Sequence, residues 1–379
     1  MSYSPPSSAK PFTLSVSDQD LSEWRQLLQL SKLGPDTYEG RQQDRRFGLS
    51  DKWLSETKDY WLNAYDWRAQ EKHINSFPNY KMQIEDIDLH FVALFSEKKD
   101  AIPIVFMHGW PGSFLEFLPM LGLIKEQCSA KDLPYHIVVP SLPGYTLSSG
   151  PPLDKNYSMK DSARIMNKLM VNLGFDKYIA EGGDVGSWEA RILCEEYDAC
   201  VGMHVTMYST NDQPDEGTLS PLEKAAWERA MKWRATGTAY AQEHSTRPST
   251  IGHVLSSNPL ALLAWIGEKF LEWTDEDPPL DWILTNISLY WFTSSLPRSL
   301  YPYREIMAPG GYPFEHAKKP TGFSFFPYEL LPGIKEVIEK SANLVYYKQH
   351  KRGGHFAALE RPKELWGDVE EFVREAWKV

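Results

Sequence analysis

Cysteine is scarce in this 379-residue chain: Cys128, Cys194 and Cys200 are the only three, without CxxC spacing and without a histidine paired to them. That count excludes a disulfide framework and supplies no zinc pattern. Basic charge is short as well, 40 Lys and Arg against 51 Asp and Glu for a net charge of −11. No basic block or stripe offers itself to nucleic acid. The longest apolar run, Leu260 to Ile266, falls far below the roughly 20 residues that cross a bilayer. Met1 to Phe12 is rich in Pro and Ser and has no signal-peptide hydrophobic region, so a soluble, cytoplasmic protein without a membrane anchor is expected. The phosphate-binding patterns GxGxxG and GxxxxGKS/T are missing too, as are internal repeats and long low-complexity tracts.

What is present is an ordinary folding composition, 42% hydrophobic and 13% aromatic, with 14 Trp and 19 Tyr that suggest aromatic-lined cavities. The length suits two or three domains, or one α/β unit with insertions. Phe12 to about Phe77 reads as amphipathic helices. Lys81 to Phe95 then alternates about Glu85 and Asp86, with Ile87, Leu89 and Phe91 at period two, as a hairpin does. Apolar strands follow at Ile104 to Met107, His136 to Val139, Tyr178 to Ala180, Val201 to Met207 and Leu344 to Tyr347. Helical stretches separate them. One opens with the capping box Ser158 and Asp161, and another after Pro362 carries Leu365, Val369, Phe372, Val373 and Ala376 on one stripe. Strands alternating with such helices predict a mostly parallel sheet covered by helices on both faces. Between about Asn211 and Lys319 the alternation stops. That stretch is helix-like and rich in Trp and Tyr, with turn signals at Asp277-Pro278-Pro279 and Pro309-Gly310-Gly311, and reads as an inserted helical lid.

The most informative residues are Tyr178-Ile179-Ala180-Glu181-Gly182-Gly183-Asp184-Val185-Gly186. A short strand runs into a tight turn with small residues two positions either side of its apex, the pattern of a nucleophile elbow. Its apex is Asp184 where Ser is usual. A Ser attacking saturated carbon would leave an ether that water does not cleave, whereas a carboxylate leaves an ester that can be hydrolysed. Asp184 therefore predicts alkyl transfer. It needs no base to attack, but water does need one to hydrolyse the ester. His355, in Gly353-Gly354-His355-Phe356 just after the last predicted strand, stands where that base belongs. With an ordinary pKa near about 6.5 it would be largely neutral at pH 7. The acid that orients it should follow a strand between the two; Glu329 fits, and Asp212 is the rival. The loop His108-Gly109-Trp110-Pro111-Gly112 follows the Ile104 to Met107 strand and can aim the Trp110 amide at an oxyanion, with the Val185 amide as its partner.

His108 to Phe114, Pro140-Ser141-Leu142-Pro143-Gly144-Tyr145-Thr146, Gly182 to Ser187 and Gly353 to Glu360 resemble the microsomal-type epoxide hydrolases of the α/β-hydrolase fold, above all the soluble fungal members. The likeness extends through Trp61-Leu62, Asp66-Trp67-Arg68 and Asn75 to Pro78. It implies a meander at 1–80 that wraps core and cap, a core from 81–210 and 320–379, and a cap at 211–319. It also implies two cap tyrosines that protonate the epoxide oxygen, matching Tyr240 and Tyr303, with Tyr301 the nearest alternative. A phenol of pKa near about 10 is protonated at pH 7 and suits that task. No metal or organic cofactor is expected, the substrates are an epoxide and water, and a homodimer through the cap is a family expectation. Mammalian members carry Glu at the position of Glu329, soluble fungal ones Asp. A carboxylate elbow alone also suits a haloalkane dehalogenase, but such enzymes place Trp after the nucleophile, where this chain has Val185. Retention of Asp184, His355 and an acid argues against a non-catalytic receptor of the same fold.

Overall fold

The computed structural model describes residues 3–210, 212–310 and 312–378. A nine-stranded sheet runs through the molecule in the order β1-β2-β3-β5-β4-β6-β7-β8-β9. Its strands are β1 (Lys10–Pro11), β2 (Asn79–Ile84), β3 (Ile87–Leu94), β4 (Ile102–Met107), β5 (Tyr135–Pro140), β6 (Tyr178–Gly182), β7 (Cys200–Val205), β8 (Ala317–Phe325) and β9 (Ala342–Gln349). The pairs from β1 to β5 through β3 are antiparallel, and every pair from β5 onward is parallel. The central strands are continuous apolar runs because both faces are covered. Along β4, Val105 and Met107 join one hydrophobic cluster and Ile104 and Phe106 the other, one on each side of the sheet.

Helices α1 (Asp18–Leu30), α2 (Asp51–Asn63) and α3 (Trp67–Ile74) lie between β1 and β2, and α4 (Leu118–Gln127), α5 (Met159–Asn172) and α6 (Val185–Glu196) connect later strands. The inserted layer holds α7 (Pro221–Thr236), α8 (Ala239–Thr246), α9 (Pro248–Ser256), α10 (Pro259–Glu272), α11 (Leu280–Phe292) and the short α12 (Tyr303–Ile306). Then come α13 (Lys335–Ser341), α14 (Ala357–Glu360) and α15 (Pro362–Ala376). Ser17, Ser50 and Asp66 each cap a helix N-terminus, and the capping boxes Ser158/Asp161 and Ser220/Glu223 open α5 and α7. The stripe on α15 from Leu365 to Ala376 is buried as its period requires.

Three departures from the sequence reading have physical causes. β8 begins at Ala317, within the stretch read as strand-free, because Lys318, Lys319 and Pro320 hide its first half and its pairing with β9 is irregular there. The strand expected at Val201 to Met207 is Cys200–Val205, its last residues already turning away toward the lid. No helix forms from 31 to 50, a polar stretch of turns. Asn211 and Gly311, at the expected lid boundary and turn, lie outside the described residues. Among the described residues, no helix is long and apolar enough to cross a membrane.

Candidate active site

β6 ends at Gly182 and α6 begins at Val185, so the chain reverses within two residues. Asp184 takes φ 46° and ψ −132° at the apex, a strained backbone for a residue with a side chain. A Cβ on Gly182 would collide with the Gly186 carbonyl, and one on Gly186 with the Met107 carbonyl. Glycine at both places lets α6 press against β4 and thrust the Asp184 carboxylate above the sheet. There Oδ1 accepts a hydrogen bond from the Trp110 backbone N–H at 2.7 Å. Gly109 makes this approach possible, since a Cβ on it would strike the Asp184 side chain.

His355 reaches the same point from the loop after β9. Its Nε2 lies 3.4 Å from Asp184 Oδ2, and its Nδ1 lies 3.0 Å from each Glu329 carboxylate oxygen. Glu329 follows β8, is 1% exposed, and accepts the Leu330 N–H at 2.6 Å on Oε1. Arg229 of α7 donates to the Glu329 carbonyl at 2.8 Å and so holds this loop from the lid side. Asp212 is exposed on the rim of a separate small cavity and is not part of this cluster. One expectation fails. His355 is not near its ordinary value: burial disfavours its charge, but Glu329 and Asp184 outweigh that and raise its pKa to about 10. The free site therefore holds an imidazolium.

Above Asp184 opens a cavity of about 490 Å³, lined by Asp184, Val185, Trp188, Tyr240, Tyr303 and Leu330 among others. Tyr240 (α8) and Tyr303 (α12) have ring centroids 5.8 Å apart, and Tyr240 stacks on Trp110 at 5.4 Å. Burial is the main cause holding both phenols well above their usual range, and the charge of Asp184 adds to it; for Tyr240, a hydrogen bond with Tyr303 opposes the rise. Both phenols therefore hold their protons at neutral pH. Tyr301 points elsewhere, packing edge-on against Tyr157 at 5.1 Å. Its hydroxyl has no hydrogen-bond partner.

Three buried groups near the site were not anticipated. Burial is the main cause that pushes the Glu116 pKa well above the usual carboxylate range. His244 accepts a hydrogen bond from Trp265 and is kept neutral, its pKa lowered to about 3 by burial and then by Lys269. Lys269 is the third. Its only mark in the sequence is a shared helical face with Leu262, Ile266 and Trp273. Among the described residues no cluster of three or more His, Cys, Asp and Glu has metal-binding geometry.

Comparison with known proteins gives two matching family models, epoxide hydrolase N terminus over residues 9–117 and alpha/beta hydrolase fold over residues 102–257. The solved structure of Aspergillus niger epoxide hydrolase superposes with a TM-score of 0.94 at 48% identity, covering 99% of each chain. A Dothistroma septosporum protein provisionally named an epoxide hydrolase is 43% identical over 96% of this chain and 89% of its own. Epoxide hydrolase 1 of Sus scrofa is 31% identical over 97% of this chain and 88% of its own.

Proposed function

The chain belongs to the epoxide hydrolase family, and from that premise we propose that it converts epoxides to vicinal diols through an ester on Asp184. One observation carries the reading. The Asp184 carboxylate has one oxygen on the Trp110 amide and the other facing His355, at the base of a cavity that also holds two protonated phenols. In the first step Asp184 Oδ2 attacks an epoxide carbon in line, the carbon–oxygen bond breaks, and the phenol pair protonates the leaving oxygen. The leaving oxygen stays on the substrate as a hydroxyl. Oδ1 becomes the ester carbonyl oxygen, already seated at the Trp110 amide, and the Val185 amide is the second donor in this proposal.

Ester formation removes the charge of Asp184, one of the two carboxylates that hold the proton on His355. The imidazolium then gives its proton, through cavity water, to the phenolate left by ring opening. Neutral His355, oriented by Glu329, takes a proton from water as the hydroxide attacks the ester carbonyl, and the two amides bind the oxyanion. Collapse releases the second hydroxyl, and the imidazolium and carboxylate are restored. Protons balance over the cycle without a metal or an organic cofactor.

In this reading residues 211–319 form the cap, 1–80 the meander, and 81–210 with 320–379 the core. A cytoplasmic location is part of the same proposal, and a homodimer through the cap rests on the family likeness; tagged full-length protein and sedimentation equilibrium test them. The mechanism is tested by a single turnover in heavy-oxygen water, read by mass spectrometry of the Asp184 peptide and of the diol. Label is expected in the Asp184 carboxylate. Label in the first-turnover diol overturns the ester route.

A further inference from the structure

Lys269 has no part in the cycle above, yet its position is costly to maintain. The residue is 4% exposed on α10, and an ammonium taken out of water must be compensated. Its Nζ lies 4.6 Å from the centroid of the Tyr240 ring and 6.0 Å from those of Trp265 and Trp273. On its outer side Nζ donates to Glu268 Oε2 at 3.1 Å, a side chain 33% exposed. Neutral His244 lies edge-on to both phenols, at 4.7 Å from Tyr303 and 5.4 Å from Tyr240. Among the described residues, the buried cation over a phenol of the pair is over Tyr240.

We propose that Lys269 is a positioning residue for the proton donor: its ammonium, held over Tyr240, stabilises the phenolate formed by ring opening and makes Tyr240 the phenol that yields its proton. A cation is drawn to an aromatic face by the electron density of the ring, and that density grows when a phenol becomes a phenolate. The effect is strong because Lys269 is 4% exposed and its ammonium is packed among three aromatic rings, which screen it poorly. Ring opening moves one negative charge from Asp184 across the cavity. His355 neutralises it at the start and Lys269 meets it at the end. Lys269 touches no reacting atom and acts through Tyr240, so the inference rests on the reading of Tyr240 as a proton donor.

The test uses the full chain with a styrene-type epoxide and separates ester formation from ester hydrolysis by single-turnover kinetics. Lys269→Met is expected to slow ester formation by about tenfold to a hundredfold while ester hydrolysis changes by less than about twofold. Lys269→Arg should recover most of the loss. In a Tyr240→Phe background Lys269→Met should cost ester formation nothing further. Where the Met variant does not fold, Lys269→Gln is read in the same way. Equal slowing of both steps, or an undiminished loss in the Tyr240→Phe background, would overturn the role of Lys269 and leave Tyr240 untouched. A fully active Tyr240→Phe would instead overturn the reading of Tyr240 itself.

Discussion

The imidazole of His355 lies between Glu329 and Asp184, 4% exposed, so Coulomb attraction in a poorly solvated site holds its proton. Its pKa rises from 6.5 to about 10. Across that interval the folded protein binds a proton that the unfolded chain has released. The stability this contributes is complete below pH 6.5 and is lost as pH climbs through about 10. Urea unfolding should therefore show stability falling over that window in the native protein and a flatter profile in Glu329→Gln; parallel profiles would contradict the assignment. Glu189 gives an independent case. It is fully buried and, mainly for that reason, its pKa rises from 4.5 to about 8. The same sign applies, so Glu189→Gln should remove a loss of stability between those values and leave the fall above about pH 8 unchanged. Sequence could bring Asp184, Glu329 and His355 forward because a Gly-flanked turn and two post-strand loops leave marks at fixed places. It could not give the charge state of His355, which depends on burial and on two distances.

At the level of elements, α6 is pressed against the end of β4, and two glycines there make room for different things. A Cβ on Gly186 meets the carbonyl oxygens of Met107 and His108, which are backbone and cannot step aside. Gly186→Ala must therefore push α6 away from β4, at a cost of about 3 kcal/mol or more in denaturant unfolding. The three atoms nearest a Cβ on Gly109 all belong to the Asp184 side chain. Gly109→Ala should unfold within about 1 kcal/mol of the native protein yet form ester about a hundredfold more slowly, because the carboxylate is displaced from the Trp110 amide. Near-native ester formation in Gly109→Ala would show that this placement does not matter. The elbow was legible because its glycines sit at a defined spacing about a strained apex. β8 was not, because a strand that starts Ala317-Lys318-Lys319-Pro320 carries neither alternation nor an apolar run until Phe323. Its C-terminal end nevertheless positions Glu329, so the acid could be found while half of its strand could not.

Over the whole molecule, the lid helices that carry Lys269 and Trp273 are held from two sides. The N-terminal segment binds the outer side: Trp61 donates to Ser288 at 3.1 Å, Tyr60 to Asp281 at 2.8 Å, and Arg45, in the turns before α2, forks onto Asp277 at 2.7 and 2.6 Å. The catalytic loop binds the inner side, where the His355 N–H donates to the Trp273 carbonyl at 3.0 Å and Glu360 accepts the Asp275 N–H at 2.8 Å. The outer ties join residues more than two hundred positions apart and the inner ones residues more than eighty apart, and no local pattern in the chain announces them. Trp61 is the centre of the outer set, fully buried and edge-on to Trp24 at 5.3 Å. Trp61→Ala removes the indole and its bond to α11, and should destabilise the protein by about 3–5 kcal/mol. The loss should not be spread evenly, since β4, β6 and β7 are buried on both faces whereas α10 and α11 depend on the N-terminal helices for one of theirs. Hydrogen exchange in Trp61→Ala is therefore expected to quicken first across 259–292, with the central strands protected until global unfolding. Uniform acceleration would mean that lid and core open as one unit. Because the lid also fixes Trp273 against the His355 loop, the same variant should slow ester hydrolysis along with ester formation, unlike Lys269→Met.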